Sequence, residues 1–120
     1  MSDQELWNEQ EVLNDFDGDE DILMETCEMF LELNKEHIQK LRDKLAEGNI
    51  QGAGEEAHSI KGMVGYFNKG VVMAAAKRIE DKARQGEYSS NDELEVDINS
   101  LAELIEKLCV HIKDFLDRHK

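Results

Sequence analysis

The sequence predicts an all-α fold: an up-down-up-down antiparallel four-helix bundle with a short N-terminal lid helix. Three observations carry that expectation. Proline is absent from all 120 residues, aromatics make up only 6%, and apolar residues recur by threes and fours over long stretches. Proline breaks helix interiors, and aromatic-rich alternating segments mark β-sandwiches, so the composition favours long helices. The length suits a single domain over 1–120, and 40% apolar residues suffice for one core.

The first helix is expected over about residues 8–16, ending at Asp17-Gly18. The second, about 19–47, opens on Asp19 as N-cap, with Glu20 and Asp21 in the first turn, where acids suit the helix dipole. Its inward stripe is Leu23, Cys27, Phe30, Asn34, Ile38, Leu41 and Leu45, and Gly48-Asn49 ends it. The third, about 50–67, turns Ala53, Ala57, Ile60, Val64 and Phe67 inward. Asn68-Lys69-Gly70 follows as a turn, because Asn and Gly tolerate the left-handed conformation that ends helices. The fourth, about 69–85, carries Val72, Ala75, Ile79 and Ala83 inward. The fifth, about 91–118, starts on Ser90-Asn91-Asp92-Glu93, which has the Ser-x-x-Glu form of a capping box. Its stripe is Leu94, Ile98, Leu101, Ile105, Leu108, Ile112 and Phe115. Short connections set consecutive helices antiparallel.

Charge and punctuation narrow the function. Fourteen basic residues against 28 acidic give a formal net charge of −14. Such a chain repels phosphate backbones and anionic bilayers, so neither nucleic acid nor a membrane is an expected partner. No apolar run approaches the ~20 residues that span a bilayer. The start, Met-Ser-Asp-Gln-Glu, lacks the basic and apolar regions of a signal peptide, so a cytoplasmic location is expected. Cys27 and Cys109 then read as free thiols and not as a disulfide framework.

The third segment breaks the rules of helix composition. It holds Gly52, Gly54, Gly62 and Gly65, and each interior glycine costs a helix about 1 kcal/mol relative to alanine. Gly54, Gly62 and Gly65 stand four before, four after and seven after His58, on one face beside the apolar stripe. His58 is therefore expected at the surface, with flanks cleared for another body and Lys61 one turn along. Residues 57–86 also carry six bases against Glu80 and Asp81, while residues 1–36 hold 13 acids and one base. An antiparallel turn centred near residue 69 sets Glu80 opposite His58, with Lys77 and Arg84 one turn to either side. A carboxylate accepting the Nδ1 proton leaves the Nε2 lone pair outward as a nucleophile. Nearby cations offset the roughly two negative charges of a phosphoryl group. The plain alternative for Glu80 is an i,i+4 ion pair with Arg84.

The stretch Ala57-His58-Ser59-Ile60-Lys61-Gly62 resembles the A-H-x-L-K-G signature of histidine phosphotransfer (HPt) domains. The resemblance runs without a gap through Phe67 to Ile79-Glu80, where the family has an apolar residue followed by Glu or Gln. Upstream, Asp17 to Leu23 followed by Phe30 looks like the family's opening helix, so about two thirds of the chain is covered. The family usually has Gly where this chain has Asn68, which implies a slightly altered turn. What the resemblance implies is a phosphorelay intermediate. His58 would accept a phosphoryl group on Nε2 from the aspartyl phosphate of one receiver domain and pass it to the aspartate of another. Lys61 would stabilise the phosphoryl charge, Gly62 would give clearance, Glu80 would orient the ring, and Arg84 matches a position that is basic in some members. Implied partners are receiver domains of response regulators or hybrid sensor kinases. The chain itself would need no cofactor, since the receiver supplies Mg²⁺. No Walker-type loop or kinase-like nucleotide site is visible, so autophosphorylation is not expected. Leu13, Phe16, Ile22 and Met63 are candidates for the docking surface, and one apolar stripe per helix suits a monomer.

Two rival readings stand beside this one. Glu55-Glu56-Ala57-His58 contains the Glu-x-x-His spacing of di-iron bundles, which would make Glu55 and His58 metal ligands. Such sites need the motif twice, and His37, His111 and His119 follow Asn34, Leu108 and Leu116 at that spacing. The second rival is an adaptor that binds a receiver without accepting phosphate.

Overall fold

The computed structural model describes residues 3–119. Among them no strand occurs, and six helices follow in order: α1 (Asp3–Leu6), α2 (Glu9–Asp15), α3 (Glu20–Ala46), α4 (Ile50–Val64), α5 (Val71–Arg84) and α6 (Asn91–His119). The longest dimension is 44 Å, which matches α6, since 29 residues at 1.5 Å each span about 43 Å.

Local chemistry starts and stops these helices where the sequence places the signals. The Asp19 side chain caps α3 by accepting from the Ile22 N–H at 3.1 Å, and Asn49 caps α4 by accepting from the Gly52 N–H at 2.8 Å. Gly48 and Gly86 follow α3 and α5 at φ of 69° and 66°, a conformation that costs a side-chain-bearing residue more. At α6 the capping box is displaced by one residue. Ser90 Oγ accepts from the Glu93 N–H at 3.3 Å, but the Glu93 carboxylate reaches back to the N–H and hydroxyl of Ser89.

The four long helices close a ring: α3 packs on α4 and α6, and α5 packs on α4 and α6. The expected stripe of α6 is buried throughout, as is that of α4 out to Phe67. Asn34 lies in the α3 stripe as expected, with its amide donating to the Phe30 and Leu31 carbonyls at 2.9 and 3.1 Å. In α5 the inward alanine is Ala76; Ala75 and Ala83 are only partly buried.

Two features depart from the sequence reading. A helix precedes the one expected from residue 8, and Trp7, just after it, is buried against Phe67 and Phe115 at centroid distances of 6.4 and 5.8 Å. Apolar spacing has no purchase on a four-residue helix, so α1 left no periodic signal. The turn after α4 also works differently. Neither Asn68 nor Gly70 has a positive φ. Asn68 is buried instead, and its Oδ1 accepts from the Gly70 and Val72 N–H groups at 3.0 Å each, serving the start of α5. Its Nδ2 donates to the Glu5 and Leu6 carbonyls at 2.6 and 2.8 Å, tying α1 down. Four hydrogen bonds, not a left-handed backbone, hold this corner.

Candidate functional site

Small residues bring α4 and α5 close together. A Cβ on Gly54 would lie 2.7 Å from the Ala83 Cβ, far inside contact distance. At that separation the Glu80 side chain of α5 lies beneath His58 of α4. Glu80 is 1% exposed and His58 58% exposed, so the ring stands in solvent on a buried carboxylate. His58 Nδ1 is hydrogen-bonded to Glu80 Oε2. A carboxylate only accepts, so Nδ1 carries the proton and the neutral ring keeps its lone pair on Nε2.

The same carboxylate collects two cations. Lys61 Nζ lies 2.7 Å from Oε1 and Arg84 Nη2 lies 2.9 Å from Oε2. Burial works to raise the Glu80 carboxyl. The hydrogen bonds from Lys61 and His58 and the charges of Lys61 and Arg84 outweigh it, holding the group below its usual value. Glu80 is thus an anion at neutral pH, and Lys61 and Arg84 together exceed its charge by one. The expected ring-orienting contact and the plain Arg84 ion pair are therefore both present.

The four singled-out glycines divide by task. A Cβ on Gly62 would meet nothing within 4 Å, so the flank of His58 is open there. Gly65 caps α4 close to the Lys61 carbonyl oxygen, 3.2 Å from where its Cβ would be. Gly54 is buried under Ala83, so its missing side chain admits α5. Gly52 is buried against the Asn49 cap and the Lys44 stem.

Lys77 has a partner on its own helix. It pairs with Asp81 at 2.6 Å, and the charge of Glu80 also reaches it. The other bases of the positive hairpin are paired as well. Lys69 pairs with Asp15, Arg78 and Lys82 with Asp97, and Lys61 and Arg84 with Glu80, all within 4.0 Å. The excess of bases in residues 57–86 is therefore largely answered by carboxylates, two of them, Asp15 and Asp97, contributed from outside the segment.

Beside Gly62 a cleft of about 450 Å³ is lined by Asp15, Phe16, Gly62, Gly65, Tyr66 and Lys69. Ile22 is exposed, while Leu13, Phe16 and Met63 pack partly against the core. Tyr66, which the sequence reading passed over, is 58% exposed and stacks near Phe16 at 6.2 Å. Its position between two buried residues of the α4 stripe was the available signal. Glu55 is exposed one turn before His58. Among the described residues, no three of His, Cys, Asp and Glu converge as a metal site requires, so Glu55 and His58 have no further ligands.

The family model described as Hpt domain matches residues 25–118. The chain belongs to the Hpt family. Hpt domains carry out histidine phosphotransfer in two-component phosphorelays and interact with receiver domains, and membership gives the chain that role. The match takes in α4 and α5 whole and leaves out α1 and α2. Neither the curated proteins nor the solved structures gave a match. Among the described residues, no helix of this Hpt domain is long and apolar enough to cross a membrane.

Proposed function

We propose that His58 is the phosphoacceptor, taking a phosphoryl group from the aspartyl phosphate of one receiver domain and passing it to the aspartate of another. The supporting observation is an imidazole more than half exposed, with Nδ1 fixed on a buried carboxylate. In the forward step the Nε2 lone pair bonds to phosphorus. The phosphorus–oxygen bond to the receiver's aspartate breaks, and that carboxylate leaves with the electron pair. The ring keeps its Nδ1 proton, and Glu80 stabilises the positive charge that develops on it. Transfer onward reverses these steps. The transition state is loose, so positioning and charge do most of the work. Lys61 and Arg84 sit where they can turn to the incoming group, offsetting its roughly two negative charges. Gly62 leaves room for the receiver, which brings its own Mg²⁺; Ile22, Phe16, Met63 and Tyr66 supply apolar contact near the site.

The proposal includes a monomeric cytoplasmic protein whose helices run up-down-up-down, with the N-terminal segment as a lid. Cross-helix pairs support the alternation: Glu20 meets His119 and Arg42 meets Asn99, while Gly54 meets Ala83 and His58 meets Glu80.

Incubation with a phosphorylated receiver tests the acceptor. Acid-labile, alkali-stable label is expected on the wild type and none on His58→Gln. Label persisting on His58→Gln removes His58 from the role, and receiver binding without any label moves the chain to the adaptor reading.

A further inference from the structure

On the flank opposite the α4–α5 seam, α3 and α6 leave a groove of about 520 Å³. Its apolar surface comes from Leu31 and Ile38 of α3 and from Ala102 and Val110 of α6, with Ile105 as its buried floor. Val110 is 67% exposed, so its side chain is open to a partner. The rim is basic: Lys35, Arg42 and Lys113 line the groove against one acid, Glu106. On a protein of net charge −14 this is a local reversal of sign. The lining on α3 runs from Leu31 to Arg42, a length of about 17 Å or three helical turns. One end is fixed, because Arg42 donates to Asn99 Oδ1 across the two helices at 2.9 Å.

We propose that this groove docks an acidic amphipathic helix of a protein partner. An apolar face would lie on Leu31, Ile38 and Val110, and flanking carboxylates would meet Lys35, Arg42 and Lys113. Helix-in-groove recognition needs these two ingredients, an apolar trough and matching charge at its rim. Because α4 and α5 form the far side of the ring, such a partner leaves His58 uncovered. The groove is a second interaction surface, and it stands whether or not His58 accepts phosphate.

Cys109 provides the test. It lines the groove and is half-buried, whereas Cys27 is fully buried, so a thiol reagent reports on the groove selectively. Alkaline pH is needed because burial pushes the Cys109 thiol up. The probe is a synthetic amphipathic peptide of about 18 residues, five helical turns, with Leu on one face and Glu on both flanks. A control keeps the Leu face and replaces Glu by Lys. The Glu peptide is expected to bind the intact protein, to slow Cys109 alkylation, and to lose affinity as salt rises. The double variant Lys35→Glu, Lys113→Glu should bind it at least ~10-fold more weakly, with helicity unchanged by circular dichroism, and should gain affinity for the Lys peptide. Equal binding of both peptides, or no protection of Cys109, overturns the proposal. So does protection by laurate alone, which would assign the groove to a small apolar anion. Concentration-dependent dimerisation that protects Cys109 without peptide would assign it to a second copy of the chain.

Discussion

The α6 side of the ring and the α4–α5 seam are built on opposite principles. Helix α6 buries Leu94, Ile98, Leu101, Ile105, Leu108, Ile112, Phe115 and Leu116, all large and apolar, and contains no glycine. Helix α4 buries Gly52, Ala53, Gly54 and Ala57 among its inward residues, and α5 answers with Ala76 and Ala83. Large side chains fill the space between helices and gain hydrophobic free energy; small ones let backbones approach. Close approach is what allows the short Glu80 side chain to be buried in α5 while touching His58 and Lys61 of α4.

The largest effect that would sharpen this contrast is on the apolar side. Ile105→Ala, at a position 1% exposed, should lower unfolding free energy by about 2–5 kcal/mol in urea titrations. Its phosphotransfer should stay near wild type wherever the protein remains folded. Next comes Gly54→Ala. A rigid Cβ 2.7 Å from that of Ala83 must separate α4 from α5. The net cost should be about 1–3 kcal/mol despite alanine's better helix propensity. Transfer should fall as well, because Glu80 is carried away from His58. If Gly54→Ala is as stable and active as wild type, close approach is not what assembles the site.

A smaller effect depends on pH. The Glu80 carboxyl is held low in the fold, so its ionised form stabilises the native state. That contribution is complete above the unfolded value, ~4.3, and is lost as pH falls through the lower folded value. Urea midpoints stepped from about pH 6 to pH 3 should show the wild type losing more stability than Glu80→Gln over this acid window. Parallel losses in the two proteins would mean that the three donors around Glu80 contribute nothing to the fold. The smallest effect is expected at the open flank. Gly62→Ala should raise stability by about 0.5–1 kcal/mol, since the new methyl meets nothing and the helix gains propensity. Gly62→Leu should keep helicity by circular dichroism and still block transfer, since its bulk enters the space a receiver needs. Normal transfer by that variant would remove the clearance role.

Much of the site was legible before the fold. His58, Lys61 and Gly62 follow from one short segment, and Glu80 followed from pairing two helices across a turn. For Gly54 and Lys77 the sequence was silent on one point: helical spacing gives the face on which a residue lies but not what stands against it. Gly54 faces Ala83, and Lys77 faces Asp81 on its own helix. The positive hairpin was misleading in the same way, because Asp15 and Asp97, remote in sequence, supply counter-charges to Lys69, Arg78 and Lys82.

Read alone, the sequence determined the long helices, their caps and most of their inward stripes, because period, propensity and capping are local properties. It also marked His58, through the Ala57-to-Gly62 stretch that resembles the family signature. Only the tertiary structure decided that Asn68 joins α4, α5 and α1 through its side chain, and that Trp7 seats the N-terminal segment between Phe67 and Phe115. It also decided that the carboxylate facing His58 is buried and that Lys61 reaches it from α4. Each of these depends on the distance between elements far apart in the chain, and that distance is set by packing, which no local pattern of residues encodes.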